Sequence, residues 1–159
     1  RNTLMKQDSN KAEGSLFNVG SRTHLQEVGE SVGLLVLRIA VGGMMLTHGW
    51  PKLLRLFETP EKFADPFGLG PEISLALAVF AELVCAVLII VGAGTRLAAG
   101  PFLFTMLVAA FIIHGDDPFK KQELALLYGA GALALMLTGA GQLSVDALIK
   151  RMRSRKSNA

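Results

Sequence analysis

The chain has 159 residues, the length of one ordinary domain, and a formal net charge of only +3. Hydrophobic residues make up 51% of it and the mean hydropathy is +0.44, which is typical of a membrane protein and argues against a soluble domain. The excess positive charge lies mainly in a basic stretch near the C-terminus, which beside a membrane segment indicates the cytoplasmic side and anionic lipid rather than nucleic acid.

The first thirty residues are polar and predict a loosely held tail that ends in a short interfacial helix. Leu25, Val28 and Val32 recur at helical spacing, and Ser21 is a candidate N-cap. This region has no apolar run of the kind that forms the centre of a signal peptide. We therefore expect residues 1–30 to lie outside a membrane domain that spans residues 31–148.

Four hydrophobic segments follow and predict an all-α fold, a four-helix transmembrane bundle. Each is about 17–21 residues long, and a helix needs about 20 residues to cross the hydrocarbon. Pro51 predicts the end of the first segment. A soluble bundle would need a polar face on every helix, and the second and third segments have none. The predicted spans are residues 32–50, 71–91, 97–113 and 118–137.

The connectors and the C-terminus predict the orientation of the bundle. Four spans place both termini on one side, and the basic tail at residues 149–159 predicts that this side is cytoplasmic. The connector at residues 51–70 is then the largest external piece. Within it, Thr59-Pro60-Glu61 predicts the start of a short helix.

Two full charges, Arg38 of the first segment and Glu82 of the second, are predicted to lie within the hydrocarbon. An unpaired charge at that depth costs roughly 2.5–3.5 kcal/mol on insertion scales, so we expect the two side chains to form an intramembrane polar pair. Such a pair either fixes the register of two helices or forms one polar wall of a ligand site or proton path. The sequence leaves both interpretations open.

A second polar group is predicted at the outer end of the bundle, where several segments begin or end. Two histidines and a carboxylate there suit a transition metal, and a quinone head group or a haem held between two histidines are alternatives. Interfacial side chains satisfied by water would look the same in sequence. The candidates for a ligand or quinone are His48, Lys52, Glu123 and Tyr128, and those for a metal are His48, His114 and Glu123.

Short motifs along the chain have the order and spacing of a known family. Together they resemble the DoxX family of small four-span membrane proteins, and the resemblance covers about residues 31–148. The motifs are Leu37-Arg38-Ile39, His48-Gly49-Trp50-Pro51-Lys52, Glu82 followed by Val91-Gly92-Ala93-Gly94-Thr95-Arg96, Gln122-Glu123-Leu124-Ala125-Leu126-Leu127-Tyr128, and Gly139-Ala140-Gly141-Gln142-Leu143-Ser144-Val145-Asp146.

The resemblance implies a multi-pass protein of a bacterial or archaeal inner membrane. The family is named after a subunit of a terminal quinol oxidase linked to thiosulfate oxidation, and other members look like partners in membrane redox or oxidative-stress complexes. Such a resemblance indicates the fold more directly than the function, because one fold can have many functions. The residues that it singles out are Arg38, His48, Lys52, Glu82, Arg96, Glu123 and Asp146.

Three functions fit these features. The first is a component of a quinone-linked membrane redox system, with quinone as the expected cofactor and a metal or haem as alternatives. The second is a non-catalytic accessory or assembly subunit of a larger membrane complex. The third is a small-solute or proton transporter that uses Arg38 and Glu82 as a gate. The expected partners are the lipid bilayer and other membrane subunits, and nucleic acid is not expected.

Overall fold

The regular secondary structure of residues 24–157, the part of the chain that the computed structural model describes, is entirely helical. The all-α prediction is therefore confirmed. Contacts divide the chain into two units after Glu30, and the described part of the first unit is the start of the first helix. The helices are α1 His24–Glu58, α2 Pro71–Val91, α3 Thr95–Ile113, α4 Phe119–Thr138 and α5 Val145–Ser157.

Three of these helices are long and apolar enough to cross a membrane. They are α1 from Leu25 onward, α2 and α3. The fourth, α4, carries Lys120, Lys121 and Glu123 in its first turns, which lowers its hydropathy below that of the others. It joins the bundle by packing along α3. The predicted four-helix bundle is present, and its members differ in how apolar they are.

The first helix is longer at both ends than the predicted span. It runs without interruption from His24 to Glu58, so the expected separate interfacial helix is continuous with the span. The candidate N-cap Ser21 lies outside the described residues. The predicted end at Trp50 is wrong, because Pro51 lies inside the helix. Proline removes one backbone donor, and transmembrane helices tolerate that loss more readily than soluble ones.

The connector between α1 and α2 is held by its own hydrogen bonds. Thr59 precedes a short 3₁₀ helix at Pro60–Lys62, which confirms the predicted turn of helix there. The carboxylate of Asp65 accepts hydrogen bonds from the backbone N–H of Gly70 at 2.8 Å and from the hydroxyl of Ser74 at 2.7 Å. The hydrogen bond from Ser74, and then that from Gly70, lower the pKa of Asp65. Both bonds hold the connector to the first turn of α2.

Small residues let the helices approach closely. A Cβ added at Gly42 would lie 2.9 Å from the carbonyl oxygen of Ala86, and one at Gly49 would lie 2.9 Å from that of Glu82. Gly42 lies next to Ala86, and the later Gly49 lies next to the earlier Glu82, so α1 and α2 run antiparallel. A Cβ added at Gly131 of α4 would lie 2.6 Å from Cγ2 of Val41, so α4 also contacts a side chain of α1 at a glycine. This packing is expected of membrane helices. In lipid no hydrophobic force drives helices together, so they associate through close contacts that small residues permit.

The C-terminal segment, predicted as a basic tail, is instead a helix. Ser144 caps it, since its hydroxyl accepts the N–H of Ala147 at 3.1 Å. The start of this helix, α5, lies at the turn between α2 and α3, where the N–H of Asp146 donates to the carbonyl of Gly92 at 2.9 Å. We call this end of the bundle the terminal end. The opposite end, which carries the connectors at 59–70 and 114–118, is the connector end.

Candidate functional site

A cavity of about 180 Å³ opens at the connector end of the bundle. All four helices of the bundle contribute to its wall or rim. Its deeper side is buried and its rim is exposed. The polar side chains that line this polar cavity are His48, Lys52, Glu82, His114, Lys121 and Tyr128, and the apolar ones are Met45, Met106, Ala109, Leu124 and Ala125.

An ion pair between a buried carboxylate and a partly exposed lysine forms one side of the polar cavity. The ammonium of Lys52 donates to both carboxylate oxygens of Glu82. The side chain of Glu82 is only 4% exposed and that of Lys52 is 30% exposed, so the pair reaches from the interior to the cavity. The helical path of α1 beyond Pro51 places Lys52 one turn after His48, and Gly49 allows the close approach to α2.

Two π-helical segments flank the polar cavity. One is Phe80–Cys85, which contains Glu82, and the other is Ala109–Ile113, which precedes His114. The wider turn of a π segment changes the direction in which the following side chains point, and such segments are frequent at functional sites. Both therefore lie where they redirect a polar side chain of the cavity.

Aromatic contacts order another part of the wall. The rings of His48 and Tyr128 meet edge to face, with centroids 5.9 Å apart and an angle of 74° between their planes. This is a favoured arrangement of two rings. Tyr128 is buried and His48 is exposed, so the tyrosine braces a histidine that faces the opening.

The rim is organised by Asp117, in the connector between α3 and α4. Its carboxylate accepts from the ammonium of Lys121 at 2.8 Å and lies 2.9 Å from Nδ1 of His114. These hydrogen bonds, of which that from Lys121 is the stronger influence, lower the pKa of Asp117. Gln122 donates to the backbone carbonyl of His114 at 2.8 Å. The rim is therefore a connected network.

The predicted pair of Arg38 and Glu82 is wrong. Arg38 is fully buried and donates to the backbone carbonyls of Ile90, at 3.1 Å, and Leu143. Because α1 and α2 are antiparallel, Arg38 lies at the level of the end of α2. Glu82 is eight residues before Ile90, roughly 12 Å away along the helix axis. Ile90 is in the last turn of α2, and the carbonyls at a helix C-terminus attract a cation. The carboxylate of Asp146 also attracts the guanidinium of Arg38.

Arg38 belongs to a second polar cluster, at the terminal end. The carboxylate of Asp146 accepts from the backbone N–H of Gly94 at 2.8 Å and of Thr95 at 3.2 Å, which caps the start of α3. The guanidinium of Arg96 reaches the carbonyl of Leu137 at 3.3 Å, near the end of α4. These contacts give Arg38, Arg96 and Asp146, which the resemblance singled out, direct roles in holding helix ends together.

The candidate Glu123 is not part of the polar cavity. Its side chain is exposed and it does not line the wall. Lys121, Leu124, Ala125 and Tyr128 face the cavity at helical spacing, and Glu123 falls on another face of α4. Among the side chains of residues 25–156, no three His, Cys, Asp or Glu gather closely enough to hold a metal ion. The predicted metal set of His48, His114 and Glu123 is therefore not assembled.

The structure adds residues that the sequence prediction missed. Lys121 and the two methionines, Met45 and Met106, line the polar cavity. Lys121 was detectable, because it lies two helical turns before Tyr128 on the same face of α4. The methionines carried no such signal, because buried methionine is common in any apolar core.

Comparison with known proteins agrees with this architecture. The DoxX family model matches residues 33–115. An uncharacterized protein of Haemophilus influenzae is 33% identical over 84% of this chain and 93% of its own length. Two inner membrane proteins of Escherichia coli, YqjF and YphA, are each 31% identical, over 77% and 71% of this chain and 95% and 87% of their own lengths. No solved structure matches significantly. With its matching family model, its relatives and its helical bundle, the chain belongs to the DoxX family of membrane proteins.

Proposed function

We propose that the polar cavity binds the head group of a quinone and that the protein is a component of a quinone-linked redox system in the bacterial inner membrane. The observation that carries the proposal is a ring-sized cavity at the connector end whose wall combines apolar side chains with hydrogen-bond donors from several helices. Small-ligand sites generally have this composition.

The dimensions of the cavity support this choice. A cavity of about 150 Å³ lined by apolar side chains is large enough to bind benzene, and the volume here is about 180 Å³. The side chains of Met45 and Met106 line the cavity, and flexible, polarizable methionine side chains pack favourably against aromatic rings. A haem is far larger than this space, so the histidines His48 and His114 are better suited to hydrogen bonding than to axial ligation.

The chemistry of the wall also supports it. A quinone presents carbonyl oxygens, and Lys52, Lys121 and the hydroxyl of Tyr128 are donors to such atoms. When bound, a quinone supplies electron transfer coupled to protons. The residues of this chain would orient the ring and bind its carbonyl oxygens by hydrogen bonds. The second redox group would belong to a partner subunit.

The proposed orientation places the basic α5 in the cytoplasm and the polar cavity toward the outer face. The terminal end carries the basic residues of α5 together with Arg96, and loops rich in lysine and arginine favour the cytoplasmic side. The polar cavity then opens at the level of the outer head groups, where the polar end of a lipid-soluble quinone resides.

A direct test measures bound quinone. The protein is purified in mild detergent, and organic extracts are analysed by mass spectrometry. In parallel, a short-chain quinone is titrated while the fluorescence of Trp50, the one tryptophan of the chain, is recorded. We expect copurified quinone and saturable quenching. Lys121→Met removes a donor at the cavity rim and leaves the pair of Lys52 and Glu82 intact. It should weaken binding about tenfold or more, since a charge-assisted hydrogen bond contributes about 1.5–3 kcal/mol.

The matched control is Lys62→Met, which removes an exposed lysine from the connector. It should bind the quinone as the unchanged protein does. Equal affinity in all three proteins, or quenching that never saturates, would contradict the proposal. Copurification of a stoichiometric partner without any quinone would favour a non-catalytic accessory subunit instead.

A further inference from the structure

The last helix has the pattern of a helix that lies flat on a membrane. Val145, Leu148, Ile149 and Met152 recur at the spacing of one helix face and form an apolar stripe. The stripe is exposed in the described structure, with Leu148 at 56% and Met152 at 55%. Basic side chains, all of them exposed, cover the flanks and the remainder of the second half of α5: Lys150, Arg151, Arg153, Arg155 and Lys156.

The start of α5 is held firmly against the bundle. Asp146 contacts the turn between α2 and α3 through its backbone N–H and its carboxylate. The carbonyl of Leu143, just before the helix, accepts from the buried Arg38. Both α2 and α3 are apolar enough to cross a membrane, so the turn that joins them lies at a membrane boundary. Helix α5 therefore begins at the level of the lipid head groups.

From these two observations we propose that α5 docks in the plane of the membrane on anionic phospholipid. The stripe of Leu148 and Met152 enters the boundary between head groups and acyl chains, and the basic side chains contact the lipid phosphates. A helix with an apolar stripe and a cationic polar face is the usual interfacial anchor. The position of its first turn at the membrane boundary makes the lipid the nearest surface of matching chemistry. This inference does not depend on the proposed quinone site.

The positive charge of α5 favours anionic over zwitterionic phospholipid. Five cations occur within the seven residues from Lys150 to Lys156, and this run contains no carboxylate. Each lysine or arginine near an anionic surface adds to binding, whereas a zwitterionic surface offers only contact with the apolar stripe. The docked fraction should therefore rise with the content of phosphatidylglycerol and fall with added salt.

The test places an environment-sensitive dye on α5 of the full chain. Met152→Cys lies in the stripe and Ser154→Cys lies about on the opposite face, since two helical residues turn by about 200°. Both proteins are labelled and reconstituted into nanodiscs of phosphatidylcholine with or without phosphatidylglycerol. The native Cys85 is buried, and the unchanged protein measures any labelling there. We expect a blue shift at 152 with phosphatidylglycerol, reversed by salt, and an emission typical of water at 154.

Charge removal completes the test. Arg153→Gln combined with Arg155→Gln should lower the ratio of docked to free helix by about tenfold or more. Arg55→Gln combined with Lys62→Gln removes two exposed cations elsewhere and should leave it unchanged. Equal emission at 152 in both lipids would overturn the proposal. So would a blue shift that requires an added acidic protein rather than lipid, or equal burial of 152 and 154.

Discussion

At the scale of single residues, the ion pair of Lys52 and Glu82 joins two helices. A buried carboxylate requires a partner, and the partner comes from a helix that continues past a proline. The same pair faces the polar cavity, so one interaction joins the packing of α1 on α2 to the chemistry proposed for the site. Arg38 at the other end differs, because its hydrogen bonds go to backbone carbonyls and the carboxylate of Asp146 attracts it without a hydrogen bond.

Breaking the ion pair should destabilise the bundle strongly. Lys52→Met leaves the carboxylate of Glu82 buried without a cation, and such a loss typically costs about 3–5 kcal/mol. The double variant Lys52→Met with Glu82→Gln removes both charges and should recover most of this free energy of unfolding. Unfolding in detergent by heat or denaturant measures both. Glu82→Gln alone completes the cycle. If the loss of stability in the double variant equals the sum of the losses in Lys52→Met and Glu82→Gln, the two side chains are not coupled.

The lowered pKa of Asp117 predicts how the stability of the folded protein changes at acidic pH. Its pKa is lowered in the folded protein, mainly by the hydrogen bond from Lys121 and then by that from His114. A carboxyl with a lowered folded pKa stabilises the protein above its unfolded pKa, about 3.9, and loses that contribution as the pH falls through the folded value. The midpoint temperature of unfolding is measured from about pH 6 to about pH 3.

The comparison for this measurement is Asp117→Asn. The unchanged protein should be the more stable of the two near pH 6, and the gap between them should close as the pH falls through the folded pKa of Asp117. A gap that stays constant across the range would mean that the charge of Asp117 makes no contribution. A gap that widens on acidification would contradict the sign of the pKa shift.

At the scale of elements, the contact between α1 and α2 depends on adjacent glycines that have different surroundings. Gly42 packs against the backbone of Ala86 and the side chain of Ile90, whereas a Cβ at Gly43 would meet nothing within 4 Å. Substitution of these two neighbouring glycines by alanine should therefore have opposite effects on the stability of the bundle. This makes them a matched pair for testing how closely the helices approach.

Gly42→Ala should destabilise the bundle by about 1–3 kcal/mol, because overpacking forces the two helices apart. Gly43→Ala should be neutral or stabilise by up to about 1 kcal/mol, because alanine favours the helix. Thermal unfolding in one detergent compares the two. Equal effects, or a larger loss at position 43, would show that α1 and α2 are not in close contact at Gly42.

At the scale of the whole molecule, the two ends of the bundle have different kinds of polar group. The connector end has side chains that face a cavity, and the terminal end has side chains that bind backbone groups of other helices. Proposed chemistry therefore belongs to one end, and assembly of the helix ends belongs to the other. The orientation of the protein decides on which side of the membrane each lies.

The proposed topology can be measured with two cysteines on intact cells. Lys62→Cys in the connector should react with a membrane-impermeant thiol reagent added outside, once the reagent has access to the inner membrane. Ser154→Cys on α5 should react only after the membrane is permeabilised. The reverse pattern would invert the orientation, and reaction of both from outside would show that the two ends lie on the same side.

Much of the fold was predictable from local sequence. The apolar segments and the glycine turns placed α2 to α4 within two residues of the observed helices, because helix formation in lipid depends on local hydrophobicity. The same reasoning failed at Pro51, where the lost hydrogen bond did not end the helix. It also failed at the C-terminus, where a basic tail is a helix that depends on Ser144 and Asp146 for its start.

The membrane class, the helical bundle and the grouping of His48, Lys52, His114 and Tyr128 at one end followed from the sequence alone, because hydropathy and helix order determine which residues share a level. The pairing of charges did not. The depth of a residue in the membrane does not determine how its helix is rotated about its own axis. The packing of α1 on α2 at Gly42 and Gly49 sets that rotation. As a result Lys52 pairs with Glu82, and Arg38 donates to backbone carbonyls. Rotation likewise turned Glu123 away from the cavity and Lys121 into it.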